Sequence, residues 1–215
     1  MTQFAKTYAK YYDLLNQNKP YRKECNFIYK WADRPRTMLD IGCGTADYWK
    51  HWPEGTIVIG VEKSQEMVKQ SKYSLHIKEG DMNNMVFPYS VDCVTALFDV
   101  INYIPEHDWW HRLPLKKGGY FIFDIWDKDK VDKEGFRQTI KRIGNVARVI
   151  TPLGYNGKRV SLNIIISDGL IEEAEIHEMY LYDENDIKRF CGKDFNITGK
   201  KETDTWQMWY RLQKK

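Results

Sequence analysis

The chain has 215 residues, of which 42% are hydrophobic and 14% aromatic. This composition supports a folded core, argues against global disorder, and fits one domain or one domain with a modest appendage. The formal net charge is +3, from 33 basic and 30 acidic side chains. That imbalance is too small and too evenly spread to predict nucleic-acid binding from electrostatics alone.

The four cysteines lie far apart and form no C-x-x-C pair. A disulfide framework and a cysteine-rich zinc site are therefore not expected. Residues 1–10 carry no continuous apolar segment, so no signal peptide is expected, and the apolar runs, such as residues 119–125, are far too short to span a bilayer. We expect a soluble, cytoplasmic protein with no membrane partner.

Residues 2–18 are predicted to form an amphipathic helix with one aromatic side. That side consists of Phe4, Tyr8, Tyr11 and Tyr12, and Leu15 continues it. The simpler interpretation is that the rings pack on the core, and the alternative is a lid whose phenols reach a ligand. Pro20 is well placed to start a second helix, over residues 21–31.

Residues 38–47 carry the most informative local pattern. An apolar run ends at Gly42 and Gly44, and Thr45 stands where a helix could begin. This pattern predicts a strand, a glycine turn and a helix, the first βα unit of a nucleotide-binding α/β domain. The exposed N–H groups and positive dipole of such a helix start suit an anionic group such as a carboxylate.

Further strands are predicted at residues 56–61, 75–79, 91–98 and 120–125, with helical stretches at 48–52, 65–73 and 106–113. This alternation predicts a doubly wound, mostly parallel α/β sheet. Glu62 ends the second strand, close to the ~20-residue separation from Asp40 at which such folds bind ribose hydroxyls. Asp81 and Asp99 follow the third and fourth strands, at the sheet edge where ligands bind.

The pattern changes after residue 126. Residues 127–138 are charged and helical or irregular, and strands are predicted at residues 145–151, 159–167 and 170–182. Turn signals separate these strands, which indicates a small antiparallel insertion over residues 140–182. A helix capped by Asp183 and two last strands, near residues 195–201 and 206–212, complete the chain.

Four motifs occur in order: Leu39–Thr45, Val61–Ser64, Gly80–Met82 and Lys117–Gly119. Together they resemble the class I S-adenosylmethionine-dependent methyltransferases over residues 36–126. The last two strands match the reversed hairpin edge of that family's seven-stranded sheet. The family often has a third glycine in its turn, where Ala46 stands here. The resemblance implies one methyltransferase domain over residues 1–215.

The resemblance also implies S-adenosylmethionine as cofactor and S-adenosylhomocysteine as product. The implied cofactor-binding residues are Tyr12, Tyr21, Asp40, Gly42, Cys43, Gly44, Thr45, Glu62, Lys63, Asp81, Met82 and Phe98. The glycine turn would hold the methionine moiety, and Glu62 both ribose hydroxyls. Lys63 would flank the adenine, Asp81 would reach its amino group, and Met82 would cover its ring. Phe98 would lie beside the sulfonium.

The leading helices and the late insertion look like those of small-molecule methyltransferases, nearest to nucleotide-sugar and glycine N-methyltransferases. The likeness implies that residues 1–33 form a lid, that residues 140–182 cover an acceptor pocket, and that the partner is a small-molecule acceptor, an amine. His177, Asp99 and Tyr8 are the candidate catalytic residues. His177 is the first candidate for a base, although an outward-facing strand residue is its simpler interpretation.

Alternatives remain open at this point. An RNA or protein methyltransferase is the second enzymatic hypothesis, although the Asn/Asp-Pro-Pro-aromatic motif of nucleic-acid N-methyltransferases is absent. A non-catalytic cofactor-binding module is another. A nicotinamide-dependent oxidoreductase is disfavoured, because the turn lacks the final glycine of G-x-G-x-x-G. His107 and His111 lie one helical turn apart without a third ligand, so no metal site is predicted. The acceptor, the choice of N or O, and the oligomeric state are not fixed, and a homo-oligomer is among the options.

Overall fold

A computed structural model describes residues 4–105, 108–203 and 205–215. The described helices are α1 (Lys6–Asn16), α2 (Tyr21–Trp31), α3 (Gln65–Gln70), α4 (Lys128–Glu134) and α5 (Glu184–Cys191). The strands are β1 (Thr37–Ile41), β2 (Ile57–Glu62), β3 (Ile77–Glu79), β4 (Val91–Ala96), β5 (Leu115–Trp126), β6 (Thr139–Ile143), β7 (Val146–Tyr155), β8 (Arg159–Ser167), β9 (Glu172–Tyr180), β10 (Phe195–Glu202) and β11 (Gln207–Lys214).

Seven strands form the main sheet, in the order β10-β11-β5-β4-β1-β2-β3. The pairs among β1 to β5 are parallel, whereas β11 is antiparallel to both of its neighbours. The sequence-based prediction of a mostly parallel sheet with a reversed edge hairpin is therefore confirmed. The carboxyl ends of β1, β2, β3 and β4 meet at one edge, where open parallel sheets bind ligands.

Both faces of this sheet are buried. Along β1, Met38 packs with α2 on one face while Leu39 packs on the other, because successive side chains of a strand point to opposite sides. In β5, Ile122 and Phe123 likewise pack on opposite faces of the sheet. Coverage of both faces explains why these strands are almost continuously apolar, as the doubly wound prediction requires.

The insertion is a separate antiparallel sheet in the order β6-β7-β8-β9. The predicted three strands were one too few, since β6 was missed. Its residues are half-buried or exposed and include Lys141 and Arg142, so the hydrophobic pattern of a strand is weak there. Side chains of β8, among them Val160 and Leu162, pack against α1 and make a third core.

Several predicted bounds are corrected, and the fifth strand, for example, begins at Leu115 instead of residue 120. The stretch after the glycine turn forms one 3-10 turn, Trp49–His51, instead of an α-helix. Helix α3 ends at Gln70 instead of residue 73, and β3 begins at Ile77 instead of residue 75. The side chain of Leu75 is 97% exposed, so no core burial holds residue 75 in the sheet.

The predicted helix at residues 106–113 is a 3-10 helix, Asp108–Arg112, in its described part. His107, half of the histidine pair noted above, lies outside the described residues. Among the described residues, no helix is both long enough and apolar enough to cross a bilayer.

Candidate functional site

A cavity of about 470 Å³ lies at the carboxyl ends of β1 to β4. It brings together eight of the predicted cofactor-binding residues, Tyr12, Gly42, Gly44, Glu62, Lys63, Asp81, Met82 and Phe98. The other four, Tyr21, Asp40, Cys43 and Thr45, line a small adjoining cavity together with some of the same residues. The order of motifs in the sequence therefore brings these side chains to one edge of the sheet.

Backbone N–H groups orient the carboxylate of Glu62 in this cavity. One carboxylate oxygen accepts from the Gly44 N–H at 2.8 Å and the other from the Ser64 N–H at 2.7 Å. Burial raises the pKa of Glu62, and these backbone hydrogen bonds offset part of that rise. The carboxylate lines the cavity and is held in a fixed orientation by these backbone donors, so it is placed to accept hydrogen bonds from the hydroxyls of a ligand.

The glycine turn does not offer its N–H groups to a ligand in the predicted way. The N–H groups of Gly42 and Cys43 donate to the Val61 carbonyl, and that of Gly44 donates to Glu62. The prediction of a helix start here is therefore wrong, because the following stretch is only a 3-10 turn, while binding of an anionic group at this turn stays a prediction. The turn instead fixes Glu62 and gives a flat backbone surface to the cavity.

Close packing explains the first glycine. Gly42 has a φ of +62°, and a Cβ there would lie 2.6 Å from a methyl carbon of Val100. Ala46 also has a positive φ, +62°, although it carries a Cβ. The position that is often a third glycine in related turns thus keeps a glycine-like backbone conformation, which a buried alanine tolerates at some conformational cost.

Asp40 lies behind the turn and binds protein groups. One carboxylate oxygen accepts from Trp49 Nε1 at 2.9 Å and the other from Thr95 Oγ1 at 2.8 Å. These bonds join β1, β4 and the 3-10 turn. Burial raises the pKa of Asp40 to about 6, against the lowering effect of the two hydrogen bonds. Its predicted role in cofactor binding stays a prediction, and in the structure the Asp40 carboxylate links β1 to β4 and to the 3-10 turn.

We expect Asp40→Asn to reduce the pH dependence of stability. The folded-state pKa of Asp40 lies above the unfolded value of 3.8, so the folded state binds more protons and its stability falls as pH rises from about 4 through 6. The Asp40 contribution to this loss between pH 5 and 6.5 is about 1 kcal/mol. Urea unfolding at both pH values measures it. An equal loss in wild type and Asp40→Asn would contradict the assignment.

Lys63 and Asp81 form an ion pair of 2.8 Å at the mouth of the cavity. Burial alone would raise the pKa of Asp81, but hydrogen bonds from Lys63 and from the Asn83 N–H outweigh it and lower the pKa. Met82 beside them is buried and lines the cavity. A charged rim over a sulfur-containing apolar wall suits a flat heteroaromatic ring with an exocyclic amine.

Phe98 and Asp99 occupy a strained turn at the end of β4. Both have positive φ values, 67° and 66°, which non-glycine residues rarely adopt. Their N–H groups donate to the fully buried Asp124 carboxyl at 2.6 and 3.2 Å, and Gln207 Nε2 donates to the same carboxyl at 2.8 Å. Asp124 therefore holds the two predicted residues in place.

Sequence reasoning missed Asp124 as a functional residue. Its signal was an acidic residue inside the apolar strand 120–125, which is costly unless the carboxyl is partnered. Burial, followed by the charge of Asp99, raises the pKa of Asp124 well above its ordinary value. Burial also raises the pKa of Asp99, so both carboxyls of this pair hold protons more tightly than free aspartate does.

His177 is fully buried, so its interpretation as an outward-facing strand residue is wrong. Its Nδ1 lies 2.9 Å from Tyr103 Oη and its Nε2 lies 3.0 Å from a Glu175 carboxylate oxygen. Tyr103 lines the cavity, whereas His177 is behind it. The predicted role of His177 as a base stays a prediction, and its geometry is that of a group acting through Tyr103.

The amino-terminal segment contributes to the wall of the cavity and is hydrogen-bonded to the insertion. The N–H groups of Phe4 and Ala5 each donate to the Glu175 carboxylate at 2.7 Å, and Ser64 Oγ donates to the Phe4 carbonyl at 2.9 Å. Phe4 itself lines the cavity. One buried carboxylate thus links the leading segment to the insertion directly above the candidate site.

Helix α1 also contributes to the wall of the cavity. Tyr12 lines the cavity, and Asp13 accepts from Thr45 Oγ1 at 2.5 Å. Tyr8, a predicted catalytic residue, is buried and accepts from Arg148 Nη1 at 3.2 Å. Burial raises the pKa of Tyr8 against the lowering effect of Arg148, so its phenol stays protonated at neutral pH.

We expect Glu175→Gln to loosen the amino-terminal segment. The amide group replaces one acceptor oxygen by a donor that faces an N–H group, which breaks a bond to Phe4 or Ala5. Hydrogen exchange at residues 4–7 should accelerate, and affinity for S-adenosylhomocysteine should fall about tenfold. The exposed Glu172→Gln, on the same strand, is the control. Unchanged exchange in Glu175→Gln would contradict the role of this carboxylate.

The known proteins with similar sequences include several methyltransferases. A family model described as a methyltransferase domain matches residues 38–114. A malonyl-[acyl-carrier protein] O-methyltransferase of Halalkalibacterium halodurans is 28% identical over 163 residues, 68% of this chain and 59% of that protein. The chain spans about three fifths or less of the curated relatives that it matches.

Solved structures share the whole fold. An S-adenosylmethionine-dependent methyltransferase from Clostridium acetobutylicum matches with a TM-score of 0.77 at 23% identity, over 95% of this chain and 96% of that one. An amino pentose methyltransferase from Micromonospora echinaspora, solved with S-adenosylmethionine bound, matches with a TM-score of 0.72 at 16% identity, over 100% and 99% of the two chains. At these identities the likeness shows the fold.

Proposed function

We propose that this chain is a class I S-adenosylmethionine-dependent methyltransferase that transfers a methyl group from S-adenosylmethionine to a small-molecule acceptor. The methyltransferase-domain match over residues 38–114 and the shared fold support this proposal. The observation that carries the proposal is the cavity of about 470 Å³ with Glu62 at its base. Its volume lies in the usual range for cofactor pockets, about 300–1,000 Å³.

The described side chains fit the parts of this cofactor. Glu62 would accept hydrogen bonds from the two ribose hydroxyls, since its carboxylate lines the cavity and is oriented by the Gly44 and Ser64 N–H groups. Met82 and Asp81 would receive the adenine, with Lys63 at the rim. The methionine part would follow the glycine turn toward Phe98, through the adjoining small cavity.

The bound cofactor would supply an electrophilic methyl group on a positively charged sulfur. The protein then has to hold the acceptor in line with that methyl group and exclude water. Phe98 and Tyr12 border both the main and the small cavity, so they would stand beside the reacting centre. Asp99 lies next to Phe98 on the acceptor side and is a candidate to receive a proton.

An amine acceptor is the favoured choice within this proposal. A neutral amine would attack the methyl carbon with its lone pair as the C–S bond breaks, which would leave S-adenosylhomocysteine, and the ammonium product would then release a proton. This sequence of steps needs no strong base, which suits a cavity whose tyrosines Tyr12 and Tyr103 have pKa values raised by burial. Burial also raises the pKa of Tyr8, which packs against Tyr12. The structural likeness to an amino pentose methyltransferase supports the same choice.

The amino-terminal segment, residues 1–33, would act as the lid of this site, and the insertion over residues 140–182 would build its acceptor side. The bonds of Glu175 to Phe4 and Ala5 support these two roles, because they join the amino-terminal segment to the insertion. Opening of residues 4–7 would break those two bonds, the Ser64 bond to Phe4, and the bond from the Thr7 N–H to Glu173.

A thermal-shift experiment tests the proposed function. S-adenosylhomocysteine at 100 times its dissociation constant should stabilise the protein by about 2.7 kcal/mol, which is a rise in melting temperature of roughly 5–10 °C. NAD at the same concentration should give no rise. A shift with NAD and none with S-adenosylhomocysteine would refute the proposal in favour of an oxidoreductase.

A further inference from the structure

A second, larger cavity of about 1,070 Å³ lies on the other side of Phe98, between α2, the insertion and the β5–β11 edge. Six basic side chains line it against three acidic ones. The basic ones are Lys19, Lys23, Lys130, Lys141, Arg148 and Lys201. Such a lining raises the local concentration of anions.

The three acidic side chains of this cavity already have partners. Glu24 pairs with Lys19 at 2.8 Å, and Glu134 accepts from Trp206 Nε1 at 2.6 Å. Asp99 lies 3.4 Å from Gln207 Nε2. Lys130 is likewise paired, with Glu202 at 2.7 Å. None of the described ion pairs involves Lys23, Lys141, Arg148 or Lys201, and two of these four cations, Lys141 and Arg148, stand side by side in the insertion.

Lys141 and Arg148 face each other directly across the β6–β7 pair. Like charges opposite one another in an antiparallel pair are destabilising. Within the described part of the chain, neither side chain forms an ion pair, and the recorded hydrogen bond of Arg148 is to Tyr8 Oη. Burial, and then the Arg148 charge, lowers the pKa of Lys141, as expected for two cations without a counter-charge.

The position of this pair connects it to the proposed chemistry. Arg148 holds Tyr8, which packs against Tyr12 with ring centroids 5.8 Å apart. Tyr12 and Phe98 line the candidate cofactor cavity, and Phe98 lines both cavities. A molecule seated against Arg148 thus has a continuous path of cavity surface to the reacting centre.

We propose that Lys141 and Arg148 bind an oxyanion, a carboxylate or a phosphate, that the methyl acceptor carries. This inference rests on the proposed methyl transfer and names the chemistry of its acceptor. The planar guanidinium of Arg148 keeps donors available for a bidentate contact after its bond to Tyr8. Lys141 supplies the second charge, and binding of the anion relieves their mutual repulsion.

Calorimetric titration with two probes, citrate and inorganic pyrophosphate, tests the site in 150 mM NaCl with saturating S-adenosylhomocysteine. We expect one of them to bind wild-type protein, and Arg148→Gln and Lys141→Gln each to weaken that binding about tenfold or more. Stronger citrate binding assigns a carboxylate, and stronger pyrophosphate binding assigns a phosphate. The proposal is overturned if neither probe binds.

Arg142→Gln is the matched control. Arg142 follows Lys141 in β6 and is exposed, so successive side chains place it on the opposite face of the strand. It should leave probe binding within about twofold of wild type. A loss equal to that of Arg148→Gln would mean general surface attraction by an adventitious ion only, and would overturn the proposal.

Stability of the ligand-free protein gives an independent readout. Removing one of two opposed cations should raise the melting temperature of Lys141→Gln by about 1–3 °C relative to Arg142→Gln. A lower melting temperature in Lys141→Gln than in the control would contradict the uncompensated pair.

The same titrations separate this proposal from the proposed function. If S-adenosylhomocysteine binds wild type and Arg148→Gln equally but neither citrate nor pyrophosphate binds, only the oxyanion site fails. If a probe binds through Arg148 while S-adenosylhomocysteine does not bind at all, methyl transfer fails and the anion site remains, without its assignment to an acceptor.

Discussion

Glu62→Ala is expected to abolish detectable binding of S-adenosylhomocysteine. The variant removes two charge-assisted acceptors from the ribose hydroxyls, each worth about 1.5–3 kcal/mol, so affinity should fall at least ~100-fold. It also leaves the Gly44 and Ser64 N–H groups without the carboxylate that binds them, so the glycine turn loses its shape as well. The melting temperature without ligand should fall too.

Two further variants make this result specific. Glu62→Gln keeps the size of the side chain and one acceptor oxygen, so it should fold and still bind far more weakly than wild type. Glu79→Ala removes the exposed carboxylate that pairs in register with Glu62 on the neighbouring strand. Calorimetry should give Glu79→Ala the affinity of wild type. Wild-type affinity in Glu62→Gln would show that the ribose lies elsewhere.

Gly42→Ala is expected to have the largest effect on stability. Its Cβ would lie 2.6 and 2.7 Å from the two methyl carbons of Val100, and the backbone has a φ of +62°. Backbone strain and overpacking together should cost about 2–4 kcal/mol, which lowers the melting temperature by roughly 5–15 °C. Because Val100 also lines the cofactor cavity, binding of S-adenosylhomocysteine should weaken with it.

Gly55→Ala separates the cost of backbone strain from the cost of steric overlap with Val100. Gly55 also has a positive φ, +84°, but nothing lies within 4 Å of the position of its Cβ. Its alanine variant should show the backbone cost alone, about 1 kcal/mol. The double variant Gly42→Ala/Val100→Ala should recover part of the loss, as coupled neighbours do. Equal melting temperatures for Gly42→Ala and Gly55→Ala would contradict the steric argument.

The sequence predicted the elements whose pattern is local. Residues 21–31 were expected as a helix and form α2, and residues 159–167 were expected as a strand and form β8. The edge that collects Glu62, Asp81 and Phe98 followed from the rule that parallel strands bind ligands at their carboxyl ends. Local periodicity and one topological rule therefore sufficed to bring these residues to one cavity.

The rest depends on contacts between distant parts of the chain. The bonds of Glu175 to Phe4 and Ala5 join residues about 170 positions apart, and no local pattern encodes them. The opposition of Lys141 and Arg148 required β6, whose charged residues mask its strand character. Burial of His177 was likewise set by the packing of α1 on the insertion, because alternation alone does not say which face of a strand is covered.

The motif of the glycine turn predicted residues that line the cavity, but it did not predict which groups the N–H groups of the turn bind. The turn was expected to expose N–H groups at a helix start. In the structure these groups satisfy the Val61 carbonyl and the Glu62 carboxylate. Its function is therefore to orient Glu62 and to keep the backbone flat beside the cavity, for which Gly42 must have no Cβ.

The most direct test of the central claim is a crystal structure of the protein with S-adenosylhomocysteine. The predicted result is ligand density in the cavity between Glu62 and Met82, with both ribose hydroxyls within hydrogen-bond distance of the Glu62 carboxylate and the sulfur near Phe98. Density elsewhere, with the Glu62 carboxylate making no contact to the ligand, would contradict the account.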